Sequence, residues 1–88
     1  MSIHREREQE LAAFGQAVRE VRERRGMSVG ELSNASKLPR GRKMSQRRIG
    51  RIEAGAVDAR FEELIALADA LGVTAGALFG DDEGQGAR

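Results

Sequence analysis

The sequence has no cysteine, and His4 is its single histidine. Without thiols there is neither a disulfide framework nor a zinc site with thiolate ligands, and a single imidazole does not make a histidine metal cluster. No apolar stretch approaches the roughly 18 residues that a membrane-spanning helix needs, and the first residues lack the apolar segment of a signal peptide. We therefore expect a soluble, cytoplasmic protein with no metal, no cofactor and no membrane partner.

Tryptophan and tyrosine are absent too, and the only aromatic residues are Phe14, Phe61 and Phe79. All three fall at apolar positions of predicted helices, so the sequence offers no exposed rings on which single-stranded RNA bases would stack. It also lacks a glycine-rich phosphate-binding loop with a lysine and the paired carboxylates of an active site, since Gly84 and Gly86 stand alone in a polar tail. These absences argue against an enzyme and against an RNA-binding protein.

The net charge of +1 conceals a strong segregation of charge along the chain. Residues 32–52 contain no Asp or Glu, whereas eight acids and only two arginines follow from Glu53 onward. A basic segment of this kind can neutralise the phosphates of a polyanion. The alternative is a charged surface that meets only solvent, but apolar residues at helical spacing interrupt the segment and favour the first interpretation. The seven cations of this segment are Lys37, Arg40, Arg42, Lys43, Arg47, Arg48 and Arg51.

Apolar residues recur at helical spacing, and no segment alternates as a strand does. The first predicted helix covers residues 10–25, and the charged residues 5–10 are a weaker extension of it. The second helix begins after Ser28, which forms a capping box with Glu31, and ends before Pro39. Ser45 is the expected N-cap of the third helix, which Gly55 ends, and Met44, Ile49 and Ile52 face inward.

Two further helices are expected in the acidic part of the chain. Asp58 is the predicted N-cap of the fourth, whose apolar face includes Phe61 and Ile65, and Thr74 caps a short fifth helix. The pattern predicts one all-α domain of five helices over residues 11–80. A charged extension, residues 1–10, precedes this domain, and a flexible acidic tail, residues 81–88, follows it.

The second and third helices form the candidate functional site, because a short helix with an exposed basic face can enter the major groove while the helix before it crosses the phosphate backbone. Gln46, Arg47 and Arg51 are the expected base-reading residues. Glutamine pairs bidentately with adenine and arginine with guanine, and each pair supplies about 1–3 kcal/mol of discrimination. The residues expected at the DNA backbone are Ser45, Arg48, Lys37, Arg40, Arg42 and Lys43.

These residues resemble a known family in order and spacing. The sequence is similar to the lambda-repressor/Cro family of helix-turn-helix proteins. The similarity lies in Phe14-Gly15, Val18-Arg19, Arg25-Gly26-Met27-Ser28, Glu31-Leu32, Ser45, Ile49-Gly50 and Ile52-Glu53-x-Gly55, and in the later residues 61–74 and 78–79. The resemblance implies a five-helix fold and a regulator of transcription that binds double-stranded DNA, typically as a dimeric repressor or autoregulator. It also implies that the base-reading residues follow Ser45, and that Arg22 and Glu53 form a partly buried ion pair.

The sequence departs from the family at three places. Val29 stands where the family usually has a glutamine that contacts phosphate, and Gly50 stands where serine is common. The connection between the second and third helices is about six residues longer than the family's tight turn. Its segment Pro39-Arg40-Gly41-Arg42-Lys43 is similar to the Arg-Gly-Arg core of an AT-hook. Three roles remain open for it: phosphate contact, which we favour, entry into the minor groove, and simple solvation.

A homodimer is expected, since a single helix-turn-helix reads few base pairs. The predicted dimer interface comprises Val73, Ala77, Leu78 and Phe79, and the alternative for Leu78 and Phe79 is that they close the core of the monomer. A different class of function is also open, in which the fold serves as an adaptor that engages another protein through its acidic C-terminal third. The acid-free basic segment favours DNA, because an adaptor has no need of it.

Overall fold

Five α-helices and a short 3-10 turn make up residues 3–80, the part of the chain that the computed structural model describes. The all-α fold with five helices is confirmed, and the tail predicted for residues 81–88 lies outside the described residues. The helices are α1 (Ile3–Arg24), α2 (Val29–Ala35), α3 (Gln46–Glu53), α4 (Phe61–Leu71) and α5 (Ala75–Leu78), and the 3-10 turn is Pro39–Gly41.

Helix α1 is longer than the apolar pattern predicts. It begins at Ile3 and is continuous to Arg24, so the charged segment up to residue 10 belongs to the helix instead of preceding it. Arg7 forms an ion pair with Asp58, in the connection between α3 and α4. This ion pair between residues far apart in the sequence connects the first part of α1, which has few apolar residues, to the connection between α3 and α4.

The core is built from every helix of the domain. Phe14, Val18 and Val21 of α1 pack with the inward residues of the other four helices. Met44, Ile49 and Ile52 are buried as predicted, at 2%, 0% and 0% exposure. Helix α3 is therefore fixed from behind by apolar packing, and only its opposite face is free. The remaining large buried side chains are Leu32, Leu67, Leu71 and Leu78.

Helices α1 and α3 cross at Gly15. A Cβ atom built on this buried glycine would lie 2.2 Å from the carbonyl oxygen of Ile52 and 2.6 Å from that of Glu53. Both oxygens belong to the backbone at the end of α3, which side-chain rotation cannot move. The missing side chain of Gly15 is therefore what allows the two helix backbones to approach so closely.

The start of α4 differs from the prediction. The helix begins at Phe61, and its N-cap is Arg60, not Asp58. Glu63, at the third position of the helix, accepts a hydrogen bond from the backbone N–H of Arg60 at 2.8 Å. This bond to the N–H of the N-cap residue is the glutamate half of a capping box, and the negative charge of Glu63 in the first turn is favourable there.

The burial of residues along α4 also differs from the prediction. Leu67, Ala68 and Leu71 lie in the core together with the charged Glu63, whereas Phe61 is 78% exposed and Ile65 40% exposed. The prediction that Phe61 and Ile65 belong to the core-facing side is therefore wrong. They are one helical turn apart, so α4 presents both apolar side chains on the outside of the domain.

Candidate nucleic-acid interface

Helix α2 begins as its capping box predicts. Ser28 Oγ accepts the backbone N–H of Glu31 at 3.0 Å, and the Glu31 carboxylate accepts the backbone N–H of Ser28 at 2.8 Å. The helix ends at Ala35, before Pro39. Leu32 anchors it in the core with no exposed surface.

Helix α3 begins at the predicted cap. Ser45 Oγ accepts the backbone N–H of Arg48 at 3.0 Å. Behind the helix lie the buried Ile49 and Ile52, and on its other side Gln46, Arg47 and Arg51 are exposed. None of these three side chains forms a hydrogen bond or ion pair with any residue in the range 7–80. The exposed face of α3 thus carries two cations and an amide whose bonding capacity is unused within the described domain.

Two serines connect the end of α2 to the start of α3. Ser33 Oγ donates to the carbonyl oxygen of Met44 at 2.6 Å, and the N–H of Met44 donates to Ser36 Oγ at 3.2 Å. Ser36 is fully buried and also donates to the carbonyl oxygen of Ser33 at 2.9 Å. These bonds hold the residue before the cap of α3 directly on α2, whatever the length of the chain between them. The role of this pair was not predicted from the sequence, although two serines three residues apart at the end of a short helix were a visible signal.

The long connection, which we call the basic loop (residues 37–43), is closed on itself. Lys37 and Lys43 form an isolated antiparallel bridge at its base, and the N–H of Leu38 donates to the carbonyl oxygen of Arg42 at 2.8 Å. At the tip, Arg40 and Gly41 both have positive φ, 65° and 73°. The left-handed conformation is unfavourable for a non-glycine residue such as arginine.

The four cations of the basic loop are not equivalent. Lys37, Arg40 and Lys43 are exposed and have no acidic partner among residues 7–80. Arg42 lies 3.3 Å from the carboxylate of Glu62 at the start of α4. Three of the loop cations are therefore available for an external anion, and the fourth shares its charge with an acid of its own domain.

Arg48, which the sequence predicts to lie at a DNA phosphate, has partners within the domain. Its guanidinium donates to both carboxylate oxygens of Glu63, at 2.9 and 2.8 Å, and to the carbonyl oxygen of Asp58 at 2.7 Å. The hydrogen bond with Glu63 raises the pKa of Arg48. The same bond lowers the pKa of the Glu63 carboxyl, although its burial acts in the opposite direction. Arg48 thus links α3 to the start of α4, and its contact with a DNA phosphate stays a prediction.

Arg22 and Glu53 form the ion pair that the family resemblance implies. Arg22 Nε lies 2.7 Å from one carboxylate oxygen of Glu53 and Nη2 lies 3.0 Å from the other, so the contact is bidentate. Arg22 also donates through Nη1 to the carbonyl oxygen of Met27 at 2.9 Å. The hydrogen bond to Glu53 raises the pKa of Arg22. One guanidinium therefore joins α1, the start of α2 and the end of α3.

The residues predicted for a dimer interface divide into two groups. Leu78 is 1% exposed and belongs to the monomer core, so it has no surface to offer to a partner. Phe79 is 58% exposed, and its ring stacks on that of Phe14 with 5.0 Å between centroids. Val73 and Ala77 are partly exposed. With Phe61 and Ile65, Phe79 completes the set of large apolar side chains that the described domain exposes.

Two other kinds of site have no structural basis in residues 3–80. No group of three or more His, Cys, Asp and Glu side chains is placed to hold a metal ion there. Within the same range, every helix is too short or too polar to cross a membrane.

Known proteins have sequences and folds similar to those of this chain. The family described as "Helix-turn-helix domain" matches residues 13–79. The solved structure of the restriction-modification controller protein C.AhdI from Aeromonas hydrophila has 30% identity and a TM-score of 0.71, over 81% of this chain and 98% of that chain. The clp gene regulator ClgR from C. glutamicum has 25% identity and a TM-score of 0.69, over 85% of this chain and 90% of that chain. No curated protein sequence matches.

Proposed function

Because this chain belongs to the helix-turn-helix family of the lambda-repressor/Cro type, we propose that it is a sequence-specific regulator of transcription that places α3 in the major groove of double-stranded DNA. The observation that carries the proposal is the exposed face of α3. Gln46, Arg47 and Arg51 project from a helix whose other side is fixed in the core, and they have no partner among residues 7–80. The two similar structures are those of a controller protein and a gene regulator, which supports the same kind of role.

We further propose that the protein acts as a dimeric repressor or autoregulator. Occupying a promoter requires only a DNA-reading surface, which α2 and α3 supply. Two copies would read two half-sites about one helical turn apart, which adds the specificity that one short helix lacks. The exposed Phe61, Ile65 and Phe79 provide apolar surface for such a contact, and they replace the buried Leu78 in the predicted interface.

Substituting Arg47 or Arg51 by alanine is expected to erase the preference at one base pair of each half-site. Each loss is worth about 1–3 kcal/mol, because a bidentate guanine contact disappears while the helix remains in place. The measurement is selection of bound duplexes from a random pool at a stated salt concentration, followed by titration of the selected sites. The control is Arg19→Ala, which removes an exposed arginine on α1 that pairs with Glu23.

The outcomes of this selection separate the parts of the proposal. A motif that survives both substitutions unchanged would show that these arginines do not read bases. A wild-type protein that selects no motif would contradict sequence-specific binding itself. A selected motif with two-fold symmetry supports the dimer, and a single unrepeated half-site contradicts it.

The basic loop is expected to add affinity without sequence preference. Replacing Arg40, Arg42 and Lys43 together by alanine should weaken binding to all duplexes. It should also make the plot of log K against log salt shallower by about 0.9 for each phosphate that is no longer neutralised. Unchanged affinity for random duplex would reject a DNA role for the loop. A loss confined to A/T-rich duplexes would instead indicate entry into the minor groove.

Arg40→Gly is a sharper variant of the same test. Glycine tolerates the left-handed conformation that Arg40 adopts at φ 65°, so the substitution removes the charge without straining the loop. If this variant is at least as stable as the wild type and binds DNA more weakly, the weaker binding is an effect of the lost cation. Arg42→Ala is the matched comparison, and it should weaken binding less, since Arg42 shares its charge with Glu62.

A further inference from the structure

We propose that Gly30, in the first turn of α2, is a positioning residue for Gln46. The Gln46 amide lies next to the space left by the missing side chain of Gly30. This inference rests on the proposed function, in which Gln46 reads a base from the start of α3. It assigns a role in base specificity to a residue that is on the other helix of the pair.

The Gln46 side chain lies beside the position that a Cβ atom of residue 30 would take. A Cβ atom built on Gly30 would lie 3.3 Å from Gln46 Nε2, 3.7 Å from Gln46 Cδ and 3.7 Å from Ser28 Oγ. The first of these distances is shorter than an ordinary contact with a methyl group, which requires about 3.5–4.0 Å. An alanine at position 30 would therefore push the amide outward by a few tenths of an ångström, and a larger side chain would displace it from this place altogether.

Nothing in the backbone requires glycine at position 30. Gly30 is an α-helical residue without the positive φ of the turn glycines, for example Gly26 at 68° and Gly55 at 75°. Inside a helix, glycine is less favourable than alanine because it loses more backbone entropy on folding. A glycine that weakens α2 and serves no turn is explained by the Gln46 side chain that packs against it.

The placement of the Gln46 amide matters because its pairing geometry is narrow. Bidentate recognition of adenine requires the amide nitrogen and oxygen to lie together in the plane of the base edge. No residue in the range 7–80 forms a hydrogen bond with this amide, so in our proposal its position depends on the space left open beside Gly30. A side chain restrained before binding loses less conformational entropy on binding. Gly30 thereby determines where the Gln46 amide lies and how much conformational freedom it has.

The inference predicts that stability and specificity change in opposite directions. In Gly30→Ala, the midpoint of thermal unfolding should be unchanged or higher, because alanine favours the helix. Discrimination at the base pair read by Gln46 should fall by roughly five-fold, which is part of the effect of removing one bidentate pair. In Gly30→Leu the loss should equal that of Gln46→Ala. Asn34→Ala is the matched control, an exposed position of the same helix, and it should leave base preference unchanged.

A double-mutant cycle assigns the effect to the pair. Gly30→Ala should change base preference in the wild type and leave it unchanged in Gln46→Ala, because the residues then no longer interact. The measurement is the relative affinity for the four duplexes that differ at that base pair, together with thermal unfolding by circular dichroism.

The outcomes distinguish this inference from the proposed function. If Gln46→Ala alters base preference and neither Gly30 variant does, the positioning role is wrong and the function stands. An equal loss for all four duplexes with a lowered unfolding midpoint also overturns it, because that is a defect of folding. If Gln46→Ala leaves the motif and its affinity unchanged, the assignment of Gln46 as a reader fails, and the role of Gly30 fails with it.

Discussion

Gly15→Ala is expected to destabilise the protein by about 3 kcal/mol or more, at or beyond the upper end of ordinary overpacking effects. The added methyl group would lie 2.2 Å from the carbonyl oxygen of Ile52 and 2.8 Å from the carbonyl carbon of Glu53. Because these are backbone atoms, relief requires α1 and α3 to move apart by about 1 Å, which opens the core on both sides of the crossing. Urea unfolding followed by circular dichroism measures the effect, since the sequence has no tryptophan to report by fluorescence.

The control for this prediction is the same substitution at another helical glycine. Gly50 lies on the exposed side of α3, and a Cβ atom there would meet no other atom within 4 Å. Gly50→Ala should therefore raise the stability of the free protein by up to about 1 kcal/mol, the difference in helix propensity. If both variants were destabilised alike, the cost would be general to glycine replacement in these helices and the close crossing would not explain it.

The open surroundings of Gly50 also answer a question that the sequence leaves unresolved. A glycine inside a helix can mark the close approach of another helix or of a ligand. No helix of the described domain approaches Gly50, so within this domain the protein-packing explanation is removed. The close approach of helices is at Gly15 instead, where the sequence shows only a glycine in an amphipathic stripe.

Local signals correctly predicted the N-caps of three helices. Ser28, Ser45 and Thr74 each cap the helix that the sequence assigns to them. A cap acts on its own first turn, so its effect is contained in a few neighbouring residues. The apolar spacing of Ile49 and Ile52 likewise determines which face of α3 is buried, and hence that the arginines on the opposite face are exposed.

The sequence is least informative where a residue's partner is distant in the chain. Arg48 looks like its basic neighbours, and only its contact with Glu63, which lies beyond the turn that follows α3, distinguishes it. Glu63 also accepts the backbone N–H of Arg60, so the N-cap of α4 is residue 60 and not residue 58. Phe61 is the first residue of this helix and is exposed. The spacing of Arg60 and Glu63 is that of a capping box, whereas no pattern along the chain reveals the pairing of Arg48 with Glu63.

The serines at the end of α2 explain how α2 and α3 keep the arrangement of a helix-turn-helix although the connection between them is longer. Ser33 and Ser36 bond to both backbone groups of Met44, so the relative position of α2 and α3 does not depend on the residues between them. The basic loop is closed at its base by the bridge between Lys37 and Lys43. It is therefore an addition to the helix-turn-helix and leaves the arrangement of its helices intact, which is why its cations can be varied in the tests above.

Removing one partner of the Arg22–Glu53 ion pair is the second change with a large expected effect. Glu53→Ala should lower the free energy of unfolding by about 3 kcal/mol, because it removes the carboxylate that forms a bidentate contact with the buried charge of Arg22. The two side chains are only 12% and 8% exposed, so solvent screens the remaining charge poorly. For a domain of this size, such a loss lowers the unfolding midpoint by about 12–24 °C.

The expected loss of stability comes from the charge of Arg22 that remains buried without Glu53. It does not mean that the intact pair makes a large net contribution to stability. Desolvation offsets much of the attraction in a buried pair, so replacing both residues by apolar side chains of similar volume should cost less than Glu53→Ala alone. Glu23→Ala is the matched control. Glu23 and Arg19 are also a carboxylate and a guanidinium, but their side chains are 54% and 56% exposed. Exposed ion pairs within a helix contribute only about 0.3–0.5 kcal/mol to stability. Equal losses for Glu53→Ala and Glu23→Ala in thermal and urea unfolding would mean that burial does not govern these pairs. The role of Arg22 as the junction of α1, α2 and α3 would then have to be abandoned.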